Sequence, residues 1–129
     1  MDRASVQSRA KSVLYLKKVL DQGVSVFLYP EGTRNKTNAP LASFQKGAFR
    51  LAIQTQRPIA IQTIVNVSDI TSTTKSFDLR PGVVYVIWDQ SIETKGLTLK
   101  DVPLLEHKVR STMEARLLSN PAFLHKQWY

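Results

Sequence analysis

The chain has 129 residues, of which 43% are hydrophobic and 22% charged, a composition that fits one globular domain with a moderate core and excludes a disordered chain. Zero cysteines exclude disulfides, thiolate catalysis and cysteine metal sites, and two histidines argue against a zinc centre. Eighteen Lys and Arg against ten Asp and Glu give a net charge of +8, a bias toward anions that lipid headgroups, phosphorylated substrates, acyl carrier protein and nucleic acid would all satisfy. The longest apolar runs, residues 26–29 and 83–88, are strand-sized and far too short to span a bilayer, and Met1-Asp2-Arg3 carries no apolar core of an export signal.

In residues 4–22, Val6, Ala10, Val13, Leu16 and Leu20 recur at spacings of three and four, with Gly23 where a helix C-cap falls. The pattern predicts an amphipathic helix with Arg9, Lys11, Lys17 and Lys18 on a solvated face. Residues 24–29 follow as a short, largely buried strand of β-branched and aromatic residues. It runs into Pro30-Glu31-Gly32-Thr33-Arg34, where proline stops the strand, glycine permits the positive φ that turns backbone N–H groups toward an anion, and arginine supplies a planar fork suited to phosphate oxygens.

Residues 35–43 form a polar loop holding Asn35, Asn38, Pro40 and Ser43, and a second helix is expected from Ser43 to about Gln56. Gly47 inside that helix costs about 1 kcal/mol against alanine, which suggests a close backbone or ligand approach. Pro58 opens an apolar strand over residues 59–67, covered on both faces. A polar connection over residues 68–81 leads to a further strand at 83–88, and Thr98-Leu99-Lys100-Asp101 begins a last helix with Val102, Leu105, Val109, Met113 and Leu117 on one face. The tail, residues 123–129, mixes aromatics with a lysine and reads as a frayed or lightly docked end. This order of buried-type strands and helices predicts an α/β layered sandwich with a mostly parallel sheet flanked by helices, in one domain covering residues 1–129.

Several of these segments resemble one family. Tyr29-Pro30-Glu31-Gly32-Thr33-Arg34 resembles the phosphate-binding block of the glycerolphosphate and lysophosphatidic acid acyltransferases. Phe44-Gln45-Lys46-Gly47-Ala48-Phe49 is similar to that family's F-K-K-G-A-F helix start. Arg57-Pro58-Ile59-Ala60-Ile61-Gln62 resembles its V-P-I-x-P-V strand, and Asp2-Arg3 the close of its F-I-D-R block. Order and spacing agree from about residue 2 to Leu118.

The resemblance implies transfer of a fatty acyl group from acyl-CoA or acyl carrier protein to a lysophosphatidate or glycerol phosphate, in phospholipid synthesis and without a metal or cofactor. It further implies attachment at the cytoplasmic face of an anionic membrane. Arg34 and Arg3 would clamp the acceptor phosphate, although Arg3 also reads as a free cation near the chain's start. Gly32 and Thr33 would add backbone N–H donors. Glu31 would orient Arg34 or accept a hydrogen bond from the glycerol, and Pro58 would help shape the acyl or thioester channel. Lys46 either points toward the same anion or stands exposed in the first helical turn.

The family's His-x4-Asp pair, general base and orienting carboxylate, has no counterpart here. His107 and His125 both follow the phosphate block; Thr112 lies five residues after His107, and the chain ends before the fifth residue after His125. The expectation is therefore the C-terminal portion of an acyltransferase domain, incomplete at its N-terminus and inactive alone, with a non-catalytic module that binds phospholipid phosphate as the alternative. A nucleic-acid binder is disfavoured because Phe27, Tyr85 and Trp88 fall inside apolar strands rather than among exposed cations.

Overall fold

The structure is a computed structural model that describes residues 3–71 and 79–119, with side chains from Gln7 onward except those of Ser68 and Asp69. The elements are α1 (Arg3–Asp21), α2 (Gly47–Thr55), β1 (Gln62–Val65), the single turn α3 (Val67–Ile70), β2 (Tyr85–Trp88) and α4 (Val102–Ser119), which a short 3₁₀ turn at Leu99–Asp101 precedes. The first helix ends as its sequence requires. Gly23 adopts φ +82°, and the N–H groups of Gly23 and Val24 fold back onto the carbonyls of Leu20 and Val19.

The core forms where α4, α2 and β1 meet. Val102, Leu105, Val109 and Leu117 of α4 are buried, with Met113 packed partly against them, as the apolar stripe predicts. Phe49 and Ile53 of α2, Val65 of β1, and Leu41, Phe44 and Ile61 complete the cluster, and the rings of Phe44 and Phe49 stack at 6.1 Å. The start of α4 is capped in the expected way, the Thr98 N–H donating to Asp101 Oδ2 at 2.8 Å.

The sheet differs from the expectation. Among the described residues it has two strands, β1 and β2, paired antiparallel with Gln62 opposite Trp88 and Val65 opposite Tyr85. A mostly parallel layered sandwich is therefore not what these residues build; the helices and the antiparallel pair are compatible with an incomplete fold of that kind. The pairing extends through an isolated bridge between Ile59 and Ile92, so only the middle of the apolar run is a strand. One face of it, Ile61, Thr63 and Val65, is buried, and the other is only half-buried. The connection expected to be plain loop begins with α3, and its residues 72–78, with Lys75 and Asp78, lie outside the described residues, as does the tail.

Residues 24–29 form no strand among the described residues, and they are not buried: Phe27 is 56% exposed and Tyr29 70%, their rings meeting edge to face at 5.1 Å. Tyr85 and Trp88 are also exposed, because β2 is an edge strand that the helices do not cover. The aromatics expected inside apolar strands thus lie at the surface, and aromatic burial gives no ground for excluding nucleic acid. The second helix starts four residues later than its sequence suggests. Gln45 is drawn onto the preceding turn instead, Lys46 is the N-cap, and Gly47 is the first helical residue, where an added Cβ would meet nothing within 4 Å. No close approach explains that glycine.

The C-terminal end of α2 is held by residues 94–97. Gln56, in the left-handed region at φ 51°, accepts the Gly96 N–H at 2.7 Å and donates to the Leu97 carbonyl at 3.1 Å. The Thr94 hydroxyl, fully buried, donates to the Arg57 carbonyl at 2.7 Å. These bonds fix the backbone leading into Pro58. Replacing Thr94 by valine removes that donor from a part-buried carbonyl and leaves the buried site without its hydroxyl, with an expected loss of about 1–2 kcal/mol in urea unfolding, whereas Thr94→Ser should retain most of the stability.

Candidate phosphate site

The turn expected to bind phosphate is built by backbone closure. Gly32 takes φ +68°, and its N–H donates to the Tyr29 carbonyl at 3.1 Å. The Gln45 N–H donates to the Pro30 carbonyl at 2.6 Å, and Glu31 Oε2 accepts the Ala42 N–H at 2.8 Å. Residues 30–45 are thus a loop pinched at its neck by two bonds. Its tip carries an Asx turn, Asn35 Oδ1 accepting from the Thr37 N–H at 2.8 Å while Asn35 Nδ2 donates to the Ala39 carbonyl at 2.7 Å.

The pinch brings the two expected anion-binding segments together. Lys46 follows directly on Gln45, so it stands beside the neck from which Arg34 departs four residues after Pro30. Both side chains are exposed, and neither makes a hydrogen bond or ion pair among the described residues. They are cations without internal partners, available to an external anion. Thr33 is exposed, and its N–H likewise makes no bond among the described residues.

Two expected roles change. The Gly32 N–H is committed to Tyr29, so glycine supplies the left-handed conformation and not a donor. Glu31 does not pair with Arg34; its Oε2 accepts from the Ala42 N–H on the loop's returning leg, and the side chain is half-buried. Arg3 lies in α1, but its side chain falls outside the described ones. His107 is exposed on α4 with its Nε2 3.4 Å from Ser111 Oγ, and His125 lies outside the described residues.

Pro58 and Arg57 line an apolar groove of about 590 Å³ between the extended segment and the core, with Val26, Phe27, Ile61 and Trp88 among its walls. Residues 24–28 and 57–62 both line it. A residue that the sequence pattern passed over is Arg110. From α4 it donates to the carbonyls of Ala42 at 2.6 Å and Leu41 at 2.9 Å. Its one visible signal is a cation flanking the apolar stripe, four residues before Glu114. Arg116 is also engaged, binding Asp89 Oδ1 through Nε at 2.8 Å; that hydrogen bond, and then the carboxylate's charge, raise its pKa above the ordinary arginine value.

The family model for acyltransferases matches residues 1–65, half of the chain and the part that holds Arg3, the turn, Lys46 and Pro58. The chain belongs to the acyltransferase family. Among curated relatives of this acyltransferase chain, human 1-acyl-sn-glycerol-3-phosphate acyltransferase beta is 38% identical over 102 residues, covering 79% of the chain and 36% of the relative. The mouse alpha enzyme of the same name is 38% identical over 112 residues, 87% of the chain and 37% of the relative. A putative 1-acyl-sn-glycerol-3-phosphate acyltransferase of Caenorhabditis elegans is 32% identical over 116 residues, 89% of the chain and 41% of the relative. The chain thus spans little more than a third of the length of the first two. No solved structure matches it.

Gly32 offers a test of the turn. An added Cβ would lie 3.2 Å from Gln45 Cγ on a backbone that L side chains rarely adopt. Gly32→Ala should cost about 1–2 kcal/mol in thermal or urea unfolding, and the Gln45 amide should exchange with solvent faster as the neck loosens.

Proposed function

We propose that this acyltransferase chain holds the phosphate of a 1-acyl-sn-glycerol 3-phosphate while a fatty acyl group passes to the acceptor's free hydroxyl. One observation supports the reading: the pinched neck joins the segments that carry Arg34 and Lys46, both exposed and without a hydrogen-bond or ion-pair partner among the described residues, within the segment that matches the family. Arg34 would take two phosphate oxygens bidentately, Lys46 would add a point charge, and the Thr33 N–H a neutral donor. Arg3 would complete the clamp from α1. The relatives' names supply the acceptor class.

Attack on an acyl-CoA or acyl carrier protein thioester requires removal of the hydroxyl proton. A positioned base typically contributes about 10²–10⁴-fold. A His-x4-Asp pair upstream of these residues in the whole protein would provide it, since His107 is on the exposed side of α4 and bonded to Ser111. Pro58, at the wall of the apolar groove, would help guide the acyl or thioester chain. In the whole protein, the unpaired apolar segment at residues 24–29 fits a strand of a larger, mostly parallel sheet flanked by helices. The +8 charge favours an anionic membrane surface at the cytoplasmic face. Among the described residues no helix is long and apolar enough to cross a membrane, so attachment would be peripheral or supplied elsewhere in the protein.

The test is acyl transfer from acyl-CoA to lysophosphatidate by this chain, by a version extended upstream through a His-x4-Asp pair, and by the extended version with Arg34→Ala. Activity is expected only in the extended form. Arg34→Ala should lower its kcat/KM by about ten- to a hundredfold, the loss of charge-assisted bonds to the phosphate. An extended form that is also inactive with glycerol phosphate and acyl carrier protein donors would point instead to a module that binds phospholipid phosphate without catalysis.

A further inference from the structure

We propose that Arg110 is a positioning residue for the phosphate turn, acting from α4 through the Leu41–Ala42 peptide and Glu31. The proposal rests on the acceptor-binding reading of that turn. The Arg110 guanidinium spreads its donors over two successive carbonyls, Ala42 at 2.6 Å and Leu41 at 2.9 Å, and its Nε lies 3.0 Å from Glu114 Oε1. Its planar centre stands 5.2 Å from the centroid of the buried Phe44 ring. Three of its donors are engaged at once, and the side chain is 29% exposed, so its orientation is tightly determined.

The Leu41–Ala42 peptide is gripped from both sides. Its carbonyl, that of Leu41, accepts from Arg110 at 2.9 Å, its N–H, that of Ala42, donates to Glu31 at 2.8 Å, and the next carbonyl, that of Ala42, also accepts from Arg110. Glu31 immediately precedes Gly32, Thr33 and Arg34, and Gln45, one residue after Phe44, donates to the Pro30 carbonyl. Arg110 therefore touches the loop's returning leg at Leu41, Ala42 and Phe44, and that leg touches the turn at Pro30 and Glu31. The far end of this chain of contacts is rigid, because α4 buries Val109 beside Arg110 and Leu105 one turn away. A loop that long would otherwise have to be ordered by the ligand itself, at a cost in affinity. Lysine cannot reproduce the arrangement, since an ammonium offers a point charge and not a fork for two carbonyls.

The experiment compares the extended protein with its Arg110→Met and Arg110→Lys variants, Met keeping the volume over Phe44. Acceptor KM should rise about tenfold in Arg110→Met and less in Arg110→Lys, with kcat and acyl-donor KM near wild type, the signature of lost acceptor positioning. Hydrogen exchange at the Ala42 and Gln45 amides should quicken in step, with the unfolding midpoint lowered only slightly. Unchanged acceptor KM, or a parallel loss of kcat, both KM values and thermal stability, would overturn the proposal. Titration with glycerol 3-phosphate, followed at the Thr33 and Arg34 amides, separates the two ideas. Wild type that binds as well as Arg110→Met does sinks the positioning role alone, whereas wild type that neither binds nor transfers sinks the acceptor reading and the positioning role with it.

Discussion

The pinch that closes residues 30–45 is the constraint on which the site depends. A glycine turn at the end of an extended segment does not hold one shape by itself, because fixing each backbone residue costs about 1–2 kcal/mol of conformational entropy. Two short bonds across the neck, Gln45 N–H to the Pro30 carbonyl and Ala42 N–H to Glu31, meet that cost over only a few residues. The core completes the job, since Leu41 and Phe44 on the returning leg are buried against α2 and α4. Local turn chemistry and tertiary packing thus act on the same loop from opposite ends.

That closure also sorts the cations. Arg110 is spent on loop carbonyls and Glu114, and Arg116 on Asp89, whose second oxygen is buried without a hydrogen-bond partner among the described residues. Arg34 and Lys46, near the neck, make no hydrogen bond or ion pair among the described residues. The net charge of +8 therefore says less about the site than the distribution does. An exposed arginine held in a partnered network contributes little to a ligand, whereas an unpartnered one beside a preformed turn has its bonds still to make.

The groove that Pro30 also lines shows what the acyltransferase chain leaves open. Residues 24–29 and β2 expose Phe27, Tyr29, Tyr85 and Trp88, and an apolar groove runs between that segment and the core past Pro58. These residues have the composition of buried strands, and among the described residues they are left largely exposed. The relatives are a little over twice as long, a 102-residue match covering 36% of one of them and a 112-residue match 37% of another.

Much of the site was legible in the chain alone. Positive φ at Gly32 and Gly23, the α4 stripe from Val102 to Leu117 and the Thr98–Asp101 cap all follow from local steric and hydrogen-bonding rules acting within a few residues, and the structure has each of them. The motif segments marked the family by their types and spacing, and the matched residues 1–65 contain every expected ligand of the phosphate. What tertiary structure decided were the long-range partners: Glu31 with Ala42 instead of Arg34, Gln45 with Pro30 so that α2 begins late, β1 with β2 antiparallel, and Arg110 with carbonyls sixty-eight and sixty-nine residues away. Periodicity records which side of an element is apolar, but a carbonyl or an N–H carries no mark in the sequence. Which of them a side chain meets is set only when packing brings distant segments together.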